Sequence, residues 1–582
     1  MLYSELASIY EKLESTSKRL DKTDILSKLF RKAKQKDLEH LAYLAQGKVF
    51  PAYSEAEIGI SSQLMIKAIA KSTGTAEKEI REKWRKIGDL GRVAEELVKK
   101  KRQATLFQQK LTTAKVVENL RKVSTITGVG TVEKKISLVA ELLTTASPIE
   151  ARYIVRTVLE ELRIGVGGGA TRDAIVWAFF GKKLGIEYVK EKNKLEIKNR
   201  EEYNKYVEAV QHAYDLANDF SVVLQAARKG LKVLENIKLE VGKPIKVMLY
   251  LKAKDMKDAF ERLGKPSALE YKYDGFRLMI NKDEKGKIIL FTRRLDNVTK
   301  QFPEVVDYVK KNIKGKSFIL DSEVVGFDPK TLRYRPFQEI SQRIKRKYEI
   351  EKMMKELPVE VNIFDTVYYE GRSILKKPFI ERRKLLEKIV KPVKRKIVLA
   401  KNLVTGSISE AEKFYKKALE EGEEGVMVKN LQAPYKPGAR VGYGLKLKPS
   451  ENFFDLVIVG GEWGKGKRKG WLSSFVVACQ KEGRFLEIGK VGTGVKEKAA
   501  EGLSFGELTK MLKPLIVEEK DRGVRIKPEI VVEVTYQNIQ HSPKYASGFA
   551  LRFPRVTRLR PDRSARDAES FENIKKAYAE QK

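Results

Sequence analysis

The sequence predicts a multidomain protein with an all-α part, an α+β part and a β-barrel part, in that order. Residues 1–240 carry the apolar spacing and the capping patterns of helices joined by short loops. Residues 241–450 alternate between strand-like and helix-like stretches, and residues 451–582 contain several short strands separated by loops. A chain of 582 residues is also long enough for about three or four domains of ordinary size.

Composition restricts the class of partner. The formal net charge of +39 attracts polyanions and makes their binding salt-dependent, so nucleic acid is the expected partner. A single cysteine, Cys479, and three histidines exclude a disulfide framework and a Cys/His zinc site. No apolar run approaches the length of a membrane span, and the first residues lack the regions of a signal peptide. We therefore expect an intracellular protein without a membrane partner.

Two helix starts can be predicted in the all-α part from their caps. Ser147, followed by Pro148 and Glu150, has the pattern of a capping box with proline at the first helical position. Ser54 and Glu57 have a similar spacing, which predicts a helix that runs from there towards Ala70.

Two glycine-rich loops precede predicted helices in the same part. Residues 128–131 lead into a helix through Leu143, and residues 165–171 lead into a helix through Phe180. Backbone N–H groups at a helix N-terminus bind phosphate, although ordinary helix caps explain such loops equally well. With two nearby arginines the loops are candidate contacts to a nucleic-acid backbone: Arg163, Gly165, Gly167, Arg172, Gly128 and Gly130.

One stretch in the α+β part carries a candidate nucleophile. Glu270 and Lys272 alternate with apolar residues as on one face of a strand, and Asp274-Gly275 predicts a turn into a second strand that carries Arg277. A cation beside Lys272 would favour the neutral amine, which is the nucleophilic form. A hairpin with a solvated lysine is the alternative, because four-residue patterns such as Lys-x-Asp-Gly arise by chance.

Two later stretches also place charges in apolar strands. Asp321 and Glu323 lie on one face of a predicted strand over 318–325, where carboxylates are costly to bury unless they meet a cation or hydrogen bonds. Lys446 and Lys448 alternate with leucines on another predicted strand. Two ammonium groups side by side repel each other, so this pattern predicts an anion between them.

In the C-terminal part, short strands are separated by loops such as the glycine- and lysine-rich residues 461–470. This pattern is typical of a small OB-type barrel, a common nucleic-acid-binding fold. The predicted strands cover 456–459, 473–479, 485–490 and 530–536.

Taken in order, these stretches resemble the motifs of the covalent nucleotidyltransferases, the superfamily of ATP-dependent DNA ligases, RNA ligases and mRNA capping enzymes. Residues 270–277 resemble motif I, and residues 551–563 resemble motif VI of eukaryotic-type and archaeal DNA ligases. The resemblance covers nearly the whole chain and points to archaeal replicative ATP-dependent DNA ligases. The motifs between the first and the last stand in the family order at 291–296, 318–325, 361–365, 424–429 and 445–448.

The resemblance implies three domains. These are a helical DNA-binding domain over 1–240, an ATP-grasp-like nucleotidyltransferase (adenylation) domain over 241–450, and an OB-fold domain over 451–582, with a hinge near Pro449-Ser450. It also implies that Lys272 is adenylated from ATP with Mg²⁺, or Mn²⁺ in its place. AMP would then pass to the 5′-phosphate of a nick, and the 3′-hydroxyl would displace it.

Further roles follow from the same resemblance. Glu270 would contact adenine, Phe364 would stack on it, and Glu323 and Glu424 would bind the metal. The family often has tryptophan two residues before the first motif V lysine, where this chain has Gly444. The implied nucleotide contacts are Glu270, Arg277, Arg293, Glu323, Phe364, Lys429, Lys446, Lys448, Arg558 and Arg563, and Arg293 is also an implied DNA contact.

The resemblance implies nicked double-stranded DNA as the main partner, in replication, repair and recombination, and a monomeric, nucleoid-associated protein. Gln103, Leu106 and Phe107 are similar to the short peptide by which replication proteins dock on a sliding clamp (PCNA). A buried helix start is the competing interpretation of that segment.

Two other functions stay open at this point. An RNA ligase or capping enzyme shares motif I, but neither explains the large helical N-terminal part. A non-catalytic basic DNA-binding protein explains the charge, but it does not explain Lys272 and the ordered carboxylates that follow it.

Overall fold

The structure is a computed structural model of residues 1–582 with short gaps in its description. Gln103, Leu106 and Phe107 of the predicted clamp peptide, Gly128 of the first glycine loop, and Ser450 of the predicted hinge lie outside the described residues. The positions left out are 52, 55, 101–109, 127–129, 336, 345, 347, 439, 450–451, 465–467, 498–501, 521 and 582.

The N-terminal part is helical, as the sequence predicts, with one short hairpin. Its elements are α1 (Tyr3–Ser15), α2 (Arg19–Lys32), α3 (Leu38–Leu44), α4 (Ser62–Thr73), α5 (Glu77–Ile87), α6 (Leu90–Lys100), α7 (Thr113–Thr125), α8 (Thr131–Thr145), α9 (Pro148–Val158), α10 (Gly168–Phe180), β1 (Glu187–Val189), β2 (Lys194–Glu196), α11 (Arg200–Ala217), α12 (Phe220–Lys229) and α13 (Leu231–Glu235).

The two predicted helix starts have different outcomes. The capping box of Ser147 and Glu150 is present at α9, which confirms that start. The start predicted at Ser54 is wrong, because α4 begins at Ser62 with Ser61 as its N-cap. The Ser54 hydroxyl instead accepts a hydrogen bond from the N–H of residue 56 in a local turn, and Gly59 has φ +64°. A serine followed by an acidic residue therefore marks a turn here, which is the other structure that serine favours.

The middle part contains two sheets and the helices that cover them. Its elements are β3 (Leu249–Lys252), α14 (Met256–Leu263), β4 (Ser267–Tyr271), β5 (Phe276–Lys282), β6 (Ile288–Thr292), α15 (Pro303–Asn312), β7 (Phe318–Phe327), β8 (Tyr334–Arg335), α16 (Phe337–Ile344), α17 (Ile350–Glu356), β9 (Val359–Tyr369), β10 (Arg372–Ser373), α18 (Phe379–Ile389), β11 (Ile397–Leu399), β12 (Asn402–Thr405), α19 (Ile408–Glu420), β13 (Val426–Asn430) and β14 (Arg440–Leu447).

The predicted turn at Asp274-Gly275 into a second strand is confirmed, because β5 begins at Phe276. The alternative of a hairpin is wrong, because β4 and β5 belong to different sheets. β4 lies in a five-stranded sheet of order β12-β4-β13-β14-β3. β5 lies in a seven-stranded sheet of order β10-β9-β7-β5-β6, with β11 on β9 and β8 on β7. Both β4 and β5 consist almost entirely of buried residues. Each strand therefore needs neighbours on its own sheet, and a two-stranded hairpin would not supply them.

The C-terminal part is rich in strands, and all four predicted strands are confirmed. Three of them are longer than predicted, and the strand predicted over 530–536 begins one residue later. One sheet has the order β17-β16-β15-β19-β18, with β20 pairing with both β15 and β23. The elements are β15 (Asn452–Trp463), β16 (Leu472–Lys481), β17 (Arg484–Val491), α20 (Phe505–Leu512), β18 (Ile516–Lys520), β19 (Gly523–Ile526), β20 (Val531–Tyr536), β21 (Ile539–His541), β22 (Phe549–Leu551), β23 (Arg555–Leu559) and α21 (Phe571–Glu580).

The chain divides into two compact units. The first unit comprises Met1–Tyr415 and Val426–Leu447, and the second comprises Lys416–Gly425 and Lys448–Lys582. Within the first unit, an apolar cluster joins Leu216 of the helical part to residues of the seven-stranded sheet such as Met279. In the described part of the chain, no helix has both the length and the apolar character needed to cross a membrane.

A buried ion-pair cluster links α1, α6 and α9, and it makes a testable contribution to stability. Partial burial of Glu14 opposes its charge, but the hydrogen bond and charge of Arg156 lower its pKa from 4.5 to about 2. The Arg156 Nη1–Glu14 Oε2 distance is 2.8 Å. This stabilisation is fully present above the unfolded pKa and is lost as the pH falls from 4.5 towards about 2.

Glu14→Gln is therefore expected to lower the melting temperature at pH values near about 7, and the deficit should shrink as the pH is lowered below about 4.5. Melting curves of parent and variant across this range measure the effect. Glu11→Gln on the same helix is the matched control, because Glu11 Oε1 lies 3.7 Å from Arg152 Nη1 and the Glu11 side chain is 55% exposed. A deficit that does not change with pH would contradict the assignment.

Candidate active site

Lys272 lies at the junction of the two sheets. It directly follows β4, and its neighbours Tyr271 and Tyr273 are both buried. The Tyr273 hydroxyl accepts a hydrogen bond from the Lys401 N–H at 3.0 Å, and the Tyr271 N–H donates to the Lys401 carbonyl at 3.3 Å. Because both flanking tyrosines are anchored, the half-buried Lys272 side chain is held at the end of β4.

Gly275 has a steric role between the same two sheets. A Cβ atom at this position would lie 2.3 Å from the carbonyl oxygen of Val324 in β7. Such an approach is impossible for any other residue unless the backbone shifts, so only glycine lets the chain enter β5 directly beside β7. This contact is the physical reason for the glycine in the Lys-x-Asp-Gly pattern.

Arg277 and two carboxylates share one face of the seven-stranded sheet. Arg277 stands opposite Glu323 in the β5–β7 ladder, and its Nε donates to Asp321 Oδ1 at 2.8 Å. Its Nη1 donates to the Met248 carbonyl at 2.9 Å, and the Tyr435 hydroxyl donates to Asp321 Oδ2 at 2.8 Å. Burial of Arg277 opposes its charge, but Asp321 raises its pKa well above the ordinary value. The sequence predicts Arg277 as a neighbour of Lys272, but it does not indicate Asp321 as the counter-ion of Arg277.

Glu270 and Lys429 form a buried ion pair on the five-stranded sheet. Lys429 Nζ lies 2.5 Å from Glu270 Oε2, and Arg383 Nη1 lies 3.5 Å from Glu270 Oε1. Burial of Lys429 opposes its charge, but Glu270 raises its pKa above the ordinary value. The rings of Phe364 and Phe379 lie 4.8 Å and 4.6 Å from Lys429 Nζ. Arg383, which approaches from α18, is not indicated by any pattern in the sequence.

Phe364 occupies a β-bulge. In the β7–β9 ladder Asp321 pairs with Asp365 and Ser322 pairs with Ile363, so Phe364 is the extra residue between them. Bulges change the direction of a side chain, and here the half-buried ring also lies 5.3 Å from the Arg277 Cζ atom. Phe364 therefore contacts both the Arg277 cluster and the Glu270–Lys429 pair.

The residue after Phe364 is held rigidly. Arg382 of α18 donates to Asp365 twice, from Nε to Oδ1 at 2.7 Å and from Nη2 to Oδ2 at 3.0 Å. Both side chains are 1% exposed. This two-pronged contact fixes the backbone of β9 at the position where it presents Phe364.

The lysines predicted to share a strand face have different surroundings. β14 ends at Leu447, so Lys446 lies in the strand and Lys448 follows it. Pro449 has no N–H to continue the ladder, which explains why the strand ends there. Lys446 stands directly opposite Lys252 of β3. No pattern in the sequence indicates Lys252 as a neighbour of this site. Two cations in register on neighbouring strands repel each other, and this still indicates an anion at the site.

In the second unit, Glu424 contacts Lys448 and Gln537. Lys448 Nζ lies 2.5 Å from its Oε2 atom, and Gln537 Nε2 donates to its Oε1 atom at 3.2 Å. The predicted metal ligand Glu424 is thus an ion-pair partner of the predicted phosphate ligand Lys448. Across the described residues, no group of three or more His, Cys, Asp and Glu side chains could hold a metal ion.

The chain matches known proteins over its whole length. Three family models match. The model described as DNA ligase N terminus matches residues 2–176, and the model described as ATP dependent DNA ligase domain matches residues 247–448. The model described as ATP dependent DNA ligase C terminal region matches residues 468–563. A DNA ligase of Nanoarchaeum equitans (strain Kin4-M) is 45% identical over 588 residues, with 100% of this chain and 99% of the relative covered. A DNA ligase of Thermococcus fumicolans is 42% identical, with 99% and 98% covered.

The chain belongs to the ATP-dependent DNA ligase family. The resemblance to archaeal DNA ligases is thereby confirmed, and this protein is an ATP-dependent DNA ligase, an enzyme. A solved structure described as Pmar-Lig_Pre matches with a TM-score of 0.55 at 17% identity, covering 95% of this chain and 99% of that chain. At that identity the likeness shows only the fold: a helical N-terminal region, a nucleotidyltransferase-like core and a strand-rich C-terminal region.

In the second unit of the ligase, arginines of the stretch that resembles motif VI are paired with carboxylates. Arg558 Nη2 lies 2.7 Å from Glu533 Oε2 across the β20–β23 ladder. Asp455 Oδ2 lies 2.7 Å from Arg560 Nη1 and 3.3 Å from Arg563 Nε. Arg558 is 63% exposed, so it is the member of the set that is most accessible to a ligand.

The predicted DNA contacts of the ligase lie at helix starts and turns. Gly130 precedes α8 with φ +75°, and Gly167 is the N-cap of α10. Gly165 has φ +64°, and an added Cβ would lie 2.6 Å from Lys22 Nζ. Arg163 is 38% exposed and donates to the Gly88 carbonyl at 3.1 Å.

Two further arginines of the ligase differ in how strongly they are held. Arg172 is held by Asp173, at 2.9 Å from Nε to Oδ1, and this contact lowers its availability to a phosphate. Arg293 lies exposed in the turn after β6.

Proposed function

We propose that this ligase seals single-strand nicks in duplex DNA through an AMP group carried on Lys272. The placement of Lys272 is the observation that carries the proposal. In the sequence Lys272 stands between two buried tyrosines, at the junction of two sheets. One sheet carries the Glu270–Lys429 pair and the other carries the Arg277–Asp321 pair, and Phe364 contacts both.

In the first step, the neutral Lys272 amine attacks the α-phosphorus of ATP. A phosphorus–nitrogen bond forms, the bond to pyrophosphate breaks, and the lysine releases its proton to solvent. Lys446, Lys448 and Lys252 supply positive charge to the phosphate oxygens, on which negative charge increases in the transition state. AMP then passes to the 5′-phosphate of the nick, and attack by the 3′-hydroxyl releases AMP and closes the backbone.

The adenosine part of ATP fits the cluster around Phe364. The half-buried ring presents a π face on which a purine stacks. Glu270 is 2% exposed and is held by Lys429, so its side chain is a fixed acceptor for an amino group of the base. Arg277 and Glu323, in register on the neighbouring strands, are assigned to the ribose and its phosphate.

Glu323 and Glu424 are each assigned as a magnesium ligand. Mg²⁺ is usually bound by one or two carboxylates together with substrate phosphates and water, so a dedicated cluster of three protein ligands is not required. When bound, the ion supplies charge neutralisation on the phosphate oxygens. Glu424 already faces an ammonium group at 2.5 Å, which shows that a cation is tolerated at its carboxylate.

Glu424→Gln is expected to raise the Mg²⁺ concentration needed for half-maximal adenylation by about tenfold or more, because a neutral amide binds Mg²⁺ weakly. A titration of adenylation rate against Mg²⁺ measures the shift. Glu420→Gln is the matched control, since Glu420 is an exposed glutamate at the end of α19. An unchanged Mg²⁺ requirement would remove Glu424 from the ligand set.

The C-terminal unit is assigned as the OB-fold domain, and Arg558, Arg560 and Arg563 are assigned to orient pyrophosphate during adenylation. Support comes from a sheet in which β15 pairs with three other strands and from the exposed guanidinium of Arg558. Movement of this domain about a hinge near Pro449 is part of the proposal. Crosslinks that fix the outer domains apart should stop sealing.

Nicked duplex DNA is proposed as the substrate, held by the helical domain through Arg163, Gly165, Gly167, Arg172, Gly128 and Gly130, with Arg293 as a further contact. Support comes from the net charge of +39 and from backbone N–H groups at the start of α8 and α10. Clamp docking through Gln103, Leu106 and Phe107, a monomeric state and association with the nucleoid remain proposals from the sequence.

Intact mass of the purified protein after incubation with ATP and Mg²⁺ tests the function. We expect the gain of one AMP, its transfer to the 5′-phosphate of nicked DNA, and much weaker transfer to nicked RNA. No adduct with either Mg²⁺ or Mn²⁺, from protein shown to carry no AMP at the start, would refute the proposal. Equal sealing of nicked RNA would refute the DNA assignment alone.

A further inference from the structure

Tyr250 covers the position at which Gly444 has no side chain. β3 runs parallel to β14, with Lys252 opposite Lys446 and Leu251 opposite Leu445. By strand alternation, Tyr250 lies on the same face as Lys252, and Gly444 lies on the same face as Lys446. A Cβ atom at Gly444 would lie 2.3 Å from Cε1 of Tyr250 and 2.5 Å from its Cδ1. The tyrosine ring therefore excludes any side chain at position 444.

The ring of Tyr250 also lies among the side chains assigned to adenosine. Gly444 stands opposite Lys429 in the β13–β14 ladder, so the ring that covers it is beside the Glu270–Lys429 pair. Burial raises the pKa of the Tyr250 hydroxyl, and Lys429, Arg277 and Glu270 are among the charges that act on it. The environment of Tyr250 thus contains members of both clusters that Phe364 contacts.

We propose that Tyr250 is a nucleotide-contact residue whose ring forms an aromatic wall for the purine of ATP. In this chain the wall is supplied from β3, because Gly444 on β14 leaves the space for it. The inference rests on the proposed binding of ATP at this site. A purine stacks on an aromatic face whatever strand carries the ring, so the contact should depend on the π face more than on the hydroxyl.

The test compares Tyr250→Ala and Tyr250→Phe in single-turnover adenylation. We expect Tyr250→Ala to raise the KM for ATP about tenfold or more, and Tyr250→Phe to stay within about threefold of the parent. Pyrophosphate, which is the other product of this step and has no base, inhibits adenylation by reversing it, and its inhibition constant should stay within about twofold in both variants. Tyr348→Ala is the control for loss of a tyrosine, because Tyr348 is 79% exposed.

A second experiment moves the aromatic side chain from position 250 to position 444. Gly444→Trp alone should impair adenylation, because its Cβ would lie 2.3 Å from the Tyr250 ring. Combined with Tyr250→Ala, the tryptophan should restore the KM for ATP to within about threefold of the parent. If Tyr250→Ala does not fold, Tyr250→Leu fills the space without a π face and is expected to show the same rise in KM.

Three results would overturn the assignment of Tyr250. The first is a KM for ATP in Tyr250→Ala within about twofold of the parent, and the second is an equal rise in the inhibition constant of pyrophosphate. The third is a Tyr250→Phe variant as impaired as Tyr250→Ala. Failure of the parent protein to form any AMP adduct would instead refute the proposed function, so the two failures are distinguishable.

Discussion

Lys272→Ala is expected to lose at least about four orders of magnitude in adenylation rate, to below detection of the AMP adduct by intact mass. In the proposed mechanism this amine is the group that forms the bond to phosphorus. Sealing of nicked DNA that already carries AMP on its 5′-phosphate does not need this bond. We therefore expect Lys272→Ala to retain at least about a tenth of that activity.

Lys401→Ala is the matched control for Lys272→Ala. Its Nζ lies 4.8 Å from the centre of the Tyr271 ring, so it is a neighbouring lysine on the same segment of structure. Its backbone hydrogen-bonds to both tyrosines, and the alanine variant keeps those bonds. An AMP adduct that persists in Lys272→Ala and disappears in Lys401→Ala would show that Lys401, and not Lys272, is the nucleophile.

Asp365→Ala is expected to destabilise the middle region by about 3–5 kcal/mol, because it leaves the guanidinium of Arg382 buried without its counter-ion. Both side chains are 1% exposed, so water cannot replace the lost carboxylate. Hydrogen exchange of the β9 amides measures the loss locally, which matters because a chain of several domains does not unfold in one step. Exchange of the slowest β9 amides should accelerate by about 10²–10³-fold.

Two controls separate the buried pair from an ordinary surface contact. Glu381 of α18 forms an exposed ion pair at 2.9 Å with Lys377, which precedes the helix. Glu381→Ala should therefore change the hydrogen-exchange rates of the β9 amides by less than about threefold. Replacing both members, Asp365→Leu with Arg382→Met, should lose less stability than Asp365→Ala, because neither charge is left buried alone. A double variant as unstable as Asp365→Ala would show that packing, and not the unpaired charge, sets the cost.

Local patterns predicted the elements whose causes are local. The capping box at α9 is formed by residues three positions apart, and the C-terminal strands follow from alternation within each strand. The start predicted at Ser54 failed because the same residue type also stabilises turns. Choosing between a turn and a helix cap there depended on the chain that follows, through Gly59 and up to Ser61.

The site residues were predicted as individual side chains, but many of their partners were not. Lys272, Glu270, Phe364 and Lys429 could be selected from their order in the sequence, and the structure brings Glu270, Phe364 and Lys429 into one cluster. The sequence did not indicate that Asp321 neutralises Arg277, because the two residues are 44 positions apart and meet through strand pairing. Arg383 and Lys252 were missed for the same reason.

The sequence by itself determined the order of the three regions, the family and the identity of the candidate nucleophile, because these depend on residue types and their spacing. Only the tertiary structure decided that β4 and β5 enter different sheets and that Tyr250 fills the space above Gly444. It also decided that position 275 must be glycine, because a Cβ atom there would lie 2.3 Å from the carbonyl oxygen of Val324. Sheet membership and close approach depend on which distant strands pair. Strand pairing is a long-range property that a local pattern does not encode.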